Sequence, residues 1–405
     1  MQKKDKRPVS GFLRGLGLSL AILSCGTGLA RATPQGTPYV VIDTASGAVL
    51  AEQEATRRWY PASLTKLMTA YVALTALRQG KIGLDTPIVV SYRAARMPPS
   101  KMGFNPGSEV TLENALRMLM VKSANDIAIT IAEGLGGTVE GFADQMNAAA
   151  ARLGMRESHF MNPNGLHHDE HYSSARDMAI VGMALFRDFP EYSDLYGIGA
   201  LRLGDLVIPT HNGLLGRYPG ADGMKTGFTC AAGFNVVASA TRGGRRLIAV
   251  VLGYPNAKAR TLKAASLLDA GFASGSGPSI TTLRAIPGSP PNNRPRVCGK
   301  NREQVAEDDF AAPGGQAQGD NASGFFAQMG FMGQQSGLAA VQAQSARPAF
   351  EPVQVFAGRV PGWTGAALVA LDDSPRNAVP VSSRKATKAK GGKKKPAAKA
   401  KPKRK

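Results

Sequence analysis

Ser63 and Lys66 stand three residues apart in Pro61-Ala62-Ser63-Leu64-Thr65-Lys66, just after a proline and at the head of an apolar-periodic run. On a helix, positions i and i+3 share a face with Cβ atoms about 5–6 Å apart, so the lysine amine reaches the serine hydroxyl. Such a pair is the smallest unit that turns an alcohol into a nucleophile without a histidine. Ser123-Ala124-Asn125 and Lys225-Thr226-Gly227 follow in chain order. Singly each motif is weak: Ser382 to Lys385 repeats the S-x-x-K spacing in a tail with nothing around it. Together, at a helix start, an inter-helix loop and a strand, they form a constellation suited to acyl transfer.

Each member has a chemical task. Ser63 attacks a carbonyl carbon and forms an ester. Lys66 accepts the serine proton only when neutral, so its pKa must be lowered by desolvation or by a nearby positive charge, which Lys225 supplies. Ser123 passes a proton between Lys66 and the leaving amine. Asn125 carries both a donor and an acceptor and suits a peptide amide of the substrate. Lys225 and Thr226 present a cation and a hydroxyl to a substrate carboxylate, and Gly227 lets the substrate lie along the strand edge as an added strand. The backbone N–H groups of Ser63 and Phe228 form the expected oxyanion hole. No metal and no cofactor enters this chemistry.

The elements that must position these residues read as an α+β domain. Tyr39 to Ile42 and Ala48 to Ala51 flank a Gly-containing turn and predict a β-hairpin. Apolar residues from Leu64 to Leu74 recur at helical spacing, with Gly80 as a stop. Further helices are expected from Val110 to Met120, Ala128 to Glu133, Gly141 to Leu153 and Ala175 to Phe186. Three strands follow, Asp222 to Phe228, Phe234 to Thr241 and Arg246 to Leu252, and a helix from Ala257 to Phe272 closes the domain. Strands at both ends with helices between predict one antiparallel sheet of about five strands, completed by both ends of the domain and flanked by a mainly helical subdomain.

The chain has 405 residues and a net charge of +20, which suggests a nucleic-acid binder until the charge is located. Residues 384–405 contribute +12 and residues 1–32 contribute +5, leaving +3 for the middle. The charge therefore belongs to the ends. Residues 1–32 read as a signal peptide, with Lys3, Lys4, Lys6, Arg7 and Arg14 before an apolar run and Ala30-Arg31-Ala32 as the cleavage site. Leu23 argues against lipidation at Cys25. Residues 33–275 form the domain. Residues 276–383, rich in Pro, Gly, Gln and Ala, read as a mostly disordered linker. The tail at 384–405 lacks aromatics and an apolar face, so it reads as a solvated polycation suited to anionic membrane or cell-wall polymer; no nucleic acid is expected for an exported protein. Export would allow Cys230 and Cys298 to pair, but they lie in segments of very different composition, and the reading here leaves both as free thiols.

The three motifs, with an Asp in the middle one, occur in class A β-lactamases and penicillin-binding proteins. From about Tyr39 to Phe272 the chain resembles the serine D-alanyl-D-alanine carboxypeptidases, the penicillin-binding proteins of low molecular mass. The resemblance extends to Pro61 through Ala70, Ser123 through Asp126, His171 through Ala179, and Asp222 through Thr229 with Ala232-Gly233. It implies hydrolysis of the terminal D-Ala from peptidoglycan stem pentapeptides through an acyl-enzyme on Ser63, in a periplasmic or cell-envelope protein. β-Lactams would acylate the same serine. A D,D-endopeptidase cutting cross-links, or an inactive penicillin-fold protein tethering wall through its tail, are the alternatives. Many family members have His where this chain has Phe228, and the β-sandwich that often follows the domain is not recognisable in 276–383.

Other signals are set aside. His167-His168-Asp169-Glu170-His171 holds five possible metal ligands, but without H-E-x-x-H spacing and within a loop. The residues around Glu170 resemble the carboxypeptidase loop rather than a β-lactamase's deacylating glutamate. Cys230 has no paired base that would make it a nucleophile.

Overall fold

The first hairpin forms as expected from β1 (Tyr39–Asp43) and β2 (Val49–Gln53). The computed structural model describes residues 36–299, 337–343 and 349–371, all in the unit that begins at Gly36. The signal segment at 1–32 and the basic tail at 384–405 lie outside the described residues. After the hairpin, a 3-10 turn (Ala62–Thr65) leads into α1 (Lys66–Arg78). Then come β3 (Pro87–Val89), α2 (Tyr92–Ala95), β4 (Glu109–Thr111), α3 (Leu112–Val121), α4 (Asn125–Gly136), α5 (Val139–Leu153) and α6 (Ala175–Asp188). The small hairpin β5 (Ala200–Leu203) and β6 (Leu206–Pro209) precedes the long strands β7 (Ala221–Thr229), β8 (Gly233–Arg242) and β9 (Arg245–Tyr254). α7 (Ala257–Ala273), α8 (Arg294–Cys298), α9 (Gly337–Ala343) and β10 (Val353–Gln354) complete the described elements.

The main sheet has the order β2-β1-β9-β8-β7 and is antiparallel throughout. The N-terminal hairpin is thus zipped onto the late strands, as the α+β pattern predicts. Successive side chains of a strand point to opposite faces, and here both faces are covered. Val40, Ile42, Val237, Ile248 and Val250 enter one core with α1 and α3 to α6. Their neighbours Val41, Val236, Ala238, Leu247 and Ala249 enter a second core against Leu267 and Leu268 of α7. Burial on both faces explains why β8 and β9 read as near-continuous apolar runs rather than alternating ones.

The starts of α3 and α4 differ from their expected positions. Thr111 accepts from the N–H of Asn114 and starts α3 at Leu112, while Val110 pairs with Ile88 in β4. α4 begins at Asn125, three residues before the expected Ala128. Strands β3 to β6 have only three or four residues each, too few to show periodicity in the sequence.

The disordered linker expected over 276–383 does not hold for its described parts. Ile280 is buried and its N–H donates to Gly47 O at 2.9 Å. The first turn of α9 donates from Gly337 and Leu338 to the Asp269 carboxylate of α7 at 3.1 and 2.8 Å. β10 pairs in parallel with β5, Val355 is buried, and Leu368 exchanges backbone bonds with Pro87 and Val89. Pieces this short cannot form a core of their own, but each adds to a core already built. The free-thiol reading is likewise corrected: Cys230 and Cys298 form a disulfide with a Cα–Cα distance of 5.6 Å. Composition could not foresee it, because the segment carrying Cys298 folds back onto the turn after β7, where Asn293 N donates to Ala231 O. Among the described residues no helix is long and apolar enough to cross a membrane.

A disulfide closing a loop of this length restricts the unfolded chain. Cys298→Ser is expected to lower the unfolding free energy by about 2–4 kcal/mol. Denaturant titration in oxidising buffer checks this, and equal stability of the two proteins would show that the bridge contributes nothing.

Candidate active site

Ser63 sits in a 3-10 turn rather than a regular α-helical turn, and the preceding Ala62 adopts φ +50°. That strained conformation is held from three sides. Asn235 of β8 donates its amide to the carbonyls of Tyr60 and Pro61 at 3.0 and 3.1 Å. Trp59 donates its indole N–H to Ala232 O at 2.8 Å. Behind the turn lies the loop at 160–173, where a Cβ on Gly165 would stand 1.8 Å from Ala62 O, so only glycine fits. His171 completes the clamp. Its Nδ1 accepts from Met161 N–H at 3.0 Å, so the proton is on Nε2, which donates to Thr65 Oγ1 at 2.8 Å. Burial, with smaller contributions from the neighbouring histidines, pushes its pKa down to about 3.

Lys66 is wholly buried. Its Nζ lies 3.0 Å from Ser63 Oγ, 2.8 Å from Asn125 Oδ1 and 2.7 Å from Asn164 O. Burial first, and the Lys225 charge second, hold its pKa well below that of an ordinary lysine, although Asp126 opposes the shift. A neutral amine has two N–H groups and one lone pair. With the N–H groups on Asn125 and Asn164, the lone pair is left facing the Ser63 hydroxyl.

Asn125 is more committed than its expected substrate contact suggests. Its Oδ1 serves Lys66, and its Nδ2 donates to Pro98 O at 2.9 Å. One amide hydrogen and one carbonyl lone pair remain for a bound molecule. Ser123, at φ +61°, lines the same cavity, but its buried Oγ has no hydrogen-bond partner among the described residues, Lys66 included. The two N–H groups of neutral Lys66 are already matched by Asn125 and Asn164, and its lone pair faces Ser63.

On the opposite wall, β7 is the edge strand of the main sheet. A Cβ on Gly227 would come within 3.0 Å of Ser63 N and Pro61 O. The missing side chain therefore lets the strand approach the serine turn, beyond any approach to substrate. Lys225 points inward, donating to Thr226 O at 2.9 Å, and burial, then the Arg260 charge, brings its pKa down to about 7. It does not line the cavity; Thr226 and Arg260 do. Lys225 thus sits as a titratable amine behind the wall, and Arg260 of α7 is a cation that motif reading missed. Burial alone lowers the Arg260 pKa to about 10. Phe228 is 41% exposed and its ring lies on Phe234, with centroids 4.2 Å apart.

The cavity between these walls measures about 770 Å³. Asn164, Asn235, His171 and Arg260 carry no motif of their own; they are found only through contact with Lys66, the serine turn and Lys225. The members of the histidine run face different surroundings. His171 is turned into the core, His167 packs edge-on against Tyr60, and no group of three or more metal-ligating side chains occurs among the described residues.

The geometry predicts that Lys66→Arg, whose guanidinium stays charged at any useful pH, lowers the acylation rate of Ser63 by about 10²–10⁴-fold. In the wild type, acylation falls as pH drops through the Lys66 pKa, because the base becomes protonated. Stopped-flow rates from pH 5 to 9 check both, and an arginine variant as fast as wild type would remove Lys66 as the base.

The chain is also similar to known proteins. Residues 29–256 match the family model described as D-alanyl-D-alanine carboxypeptidase. The chain is 40% identical over 240 residues to D-alanyl-D-alanine carboxypeptidase DacA of Haemophilus influenzae, covering 58% of this chain and 61% of that one. It thus spans less than two thirds of that relative's length. Penicillin-binding protein 5 from Haemophilus influenzae superposes with a TM-score of 0.57 at 40% identity, over 60% of this chain and 72% of that one. Penicillin-binding protein D2 from Listeria monocytogenes, in its ampicillin-bound form, superposes with a TM-score of 0.53 at 27% identity, over 59% of this chain and 98% of that one.

Proposed function

The chain belongs to the D-alanyl-D-alanine carboxypeptidase family, and from that premise we propose that it removes the terminal D-Ala from peptidoglycan stem pentapeptides. The observation that carries this reading is the buried amine of Lys66, 3.0 Å from Ser63 Oγ and with a strongly lowered pKa. Neutral Lys66 takes the Ser63 proton as Oγ adds to the penultimate D-Ala carbonyl. The oxyanion is met by the backbone N–H groups of Ser63 and Phe228. Ser123, which lines the cleft with a free hydroxyl, carries the proton to the leaving nitrogen as the C–N bond breaks and D-Ala departs. Water then adds to the ester, Lys66 again takes a proton, and Ser63 is released with the tetrapeptide.

Thr226 and Arg260 hold the terminal carboxylate, with the Lys225 charge behind them. The second hydrogen of the Asn125 amide meets a substrate peptide group, while Gly227 and Phe228 offer the edge of β7. A β-lactam enters the same cleft and leaves Ser63 acylated. We place the protein in the cell envelope, exported through residues 1–32. The tail at 384–405, with twelve basic residues and no acid, contacts anionic membrane or wall polymer.

A fluorescent penicillin is expected to label the wild type and not Ser63→Ala, and pentapeptide is expected to yield tetrapeptide and free D-Ala. Absence of label on the wild type would sink the reading. Release of product from cross-linked dimers in preference to monomers would point instead to an endopeptidase.

Deleting 384–405 is expected to leave turnover of soluble pentapeptide intact and to weaken binding to anionic vesicles or sacculi, most at low salt. Sedimentation with and without the tail checks this; equal binding would remove the tail's role.

A further inference from the structure

One wall of the cleft comes from outside the three-motif constellation. Phe350, in the stretch read from sequence as linker, lines the same cavity as Ser63, Thr226 and Arg260. Its ring lies directly on Gly199, where a Cβ would come within 2.1 Å of it. Gly199 O in turn accepts from Thr210 N at 2.8 Å. Thr210 opens the short loop to Gly213, which packs so closely on α7 that a Cβ there would stand 3.1 Å from Thr261 Oγ1, next to Arg260. Phe350, the 210–213 loop and Arg260 thus line one cavity and are linked through Gly199 and Thr261.

The segment carrying Phe350 is tied down beyond the ring. Val353 and Gln354 pair with Leu201 and Arg202 of β5, and Val355 is buried in the main core with its N–H on Arg202 O at 2.9 Å. Further along, Arg359 forms a two-pronged ion pair with Glu109 at 2.5 and 2.7 Å, and Leu368 is bonded to Pro87 and Val89. A half-buried aromatic ring on a backbone held this way can serve as a wall, because displacing that backbone requires breaking a strand pairing.

We propose that Phe350 is a specificity-determining residue: it closes the leaving-group end of the cleft, so that a single amino acid departs readily whereas the side-chain amine of a second stem peptide is disfavoured. The inference rests on the carboxypeptidase reading, in which the leaving residue's carboxylate lies by Thr226 and Arg260, and adds the size of leaving group the site accepts. Anything attached beyond that residue meets the ring.

The test compares kcat/KM for a pentapeptide monomer and for a cross-linked dimer in the full chain, with Ser63 acylation by fluorescent penicillin measured separately. Phe350→Ala is expected to raise the dimer-to-monomer ratio by about tenfold, and Phe350→Leu, which keeps an apolar contact on Gly199, by about threefold. Should the alanine variant fold poorly, the leucine variant decides alone. A ratio within about twofold of wild type in a variant that still acylates overturns the role of Phe350 and leaves the carboxypeptidase reading standing. A wild type that neither acylates nor releases D-Ala removes the carboxypeptidase reading, and the role of Phe350 falls with it.

Discussion

The burial of one amine governs this site. An ammonium shut away from water without a carboxylate beside it is costly by several kcal/mol even after relaxation, and the way out is to give up the proton. Lys66 is in that position: its neighbours are a hydroxyl, a side-chain amide oxygen and a backbone carbonyl, with Lys225 adding repulsion. The neutral form can accept a proton, and the same contacts leave its lone pair facing Ser63. Each contact comes from a different part of the chain, so the site exists only when the 3-10 turn, the start of α4 and the loop at Asn164 are assembled together.

The rest of the fold can be understood as what holds those parts at contact distance. The two-sided sheet is a stiff slab because alternate residues of β1, β8 and β9 are locked into different cores. Its edge strand β7 and the Asn235 amide of β8 press on the serine turn from one side, while Gly165 and His171 press from the other. The left-handed φ of Ala62 persists because these contacts over-determine it. Beyond α7, the described segments pack against the domain through the Cys230–Cys298 bridge, α9 and β10. They thereby deliver Phe350 to the rim of the cavity.

The sequence by itself determined the chemistry and the architecture. Ser63, Lys66, Ser123 and Lys225-Thr226-Gly227 were legible as candidates because a hydroxyl nucleophile, an amine base, a proton relay and a carboxylate anchor are the groups that acyl transfer can use. The five-stranded sheet was legible because its strands are long, apolar and placed at both ends of the domain, and the sign of the charge at each end was a matter of counting. Only the tertiary structure decided how those groups divide the work. It turned Lys225 inward and set the buried Arg260 in the cavity wall instead, bound Asn125 to Lys66 and Pro98, and left the Ser123 hydroxyl without a partner among the described residues. It also joined Cys230 to Cys298 and gave order to pieces of the supposed linker. The physical reason is common to all of these: they depend on long-range contacts between residues with no local pattern, such as one carbonyl at Asn164, one ring on Gly199, or a strand of two residues. Periodicity and motif spacing register what a segment does with its own neighbours along the chain, whereas burial and hydrogen-bond partners are set by whatever segment folds against it.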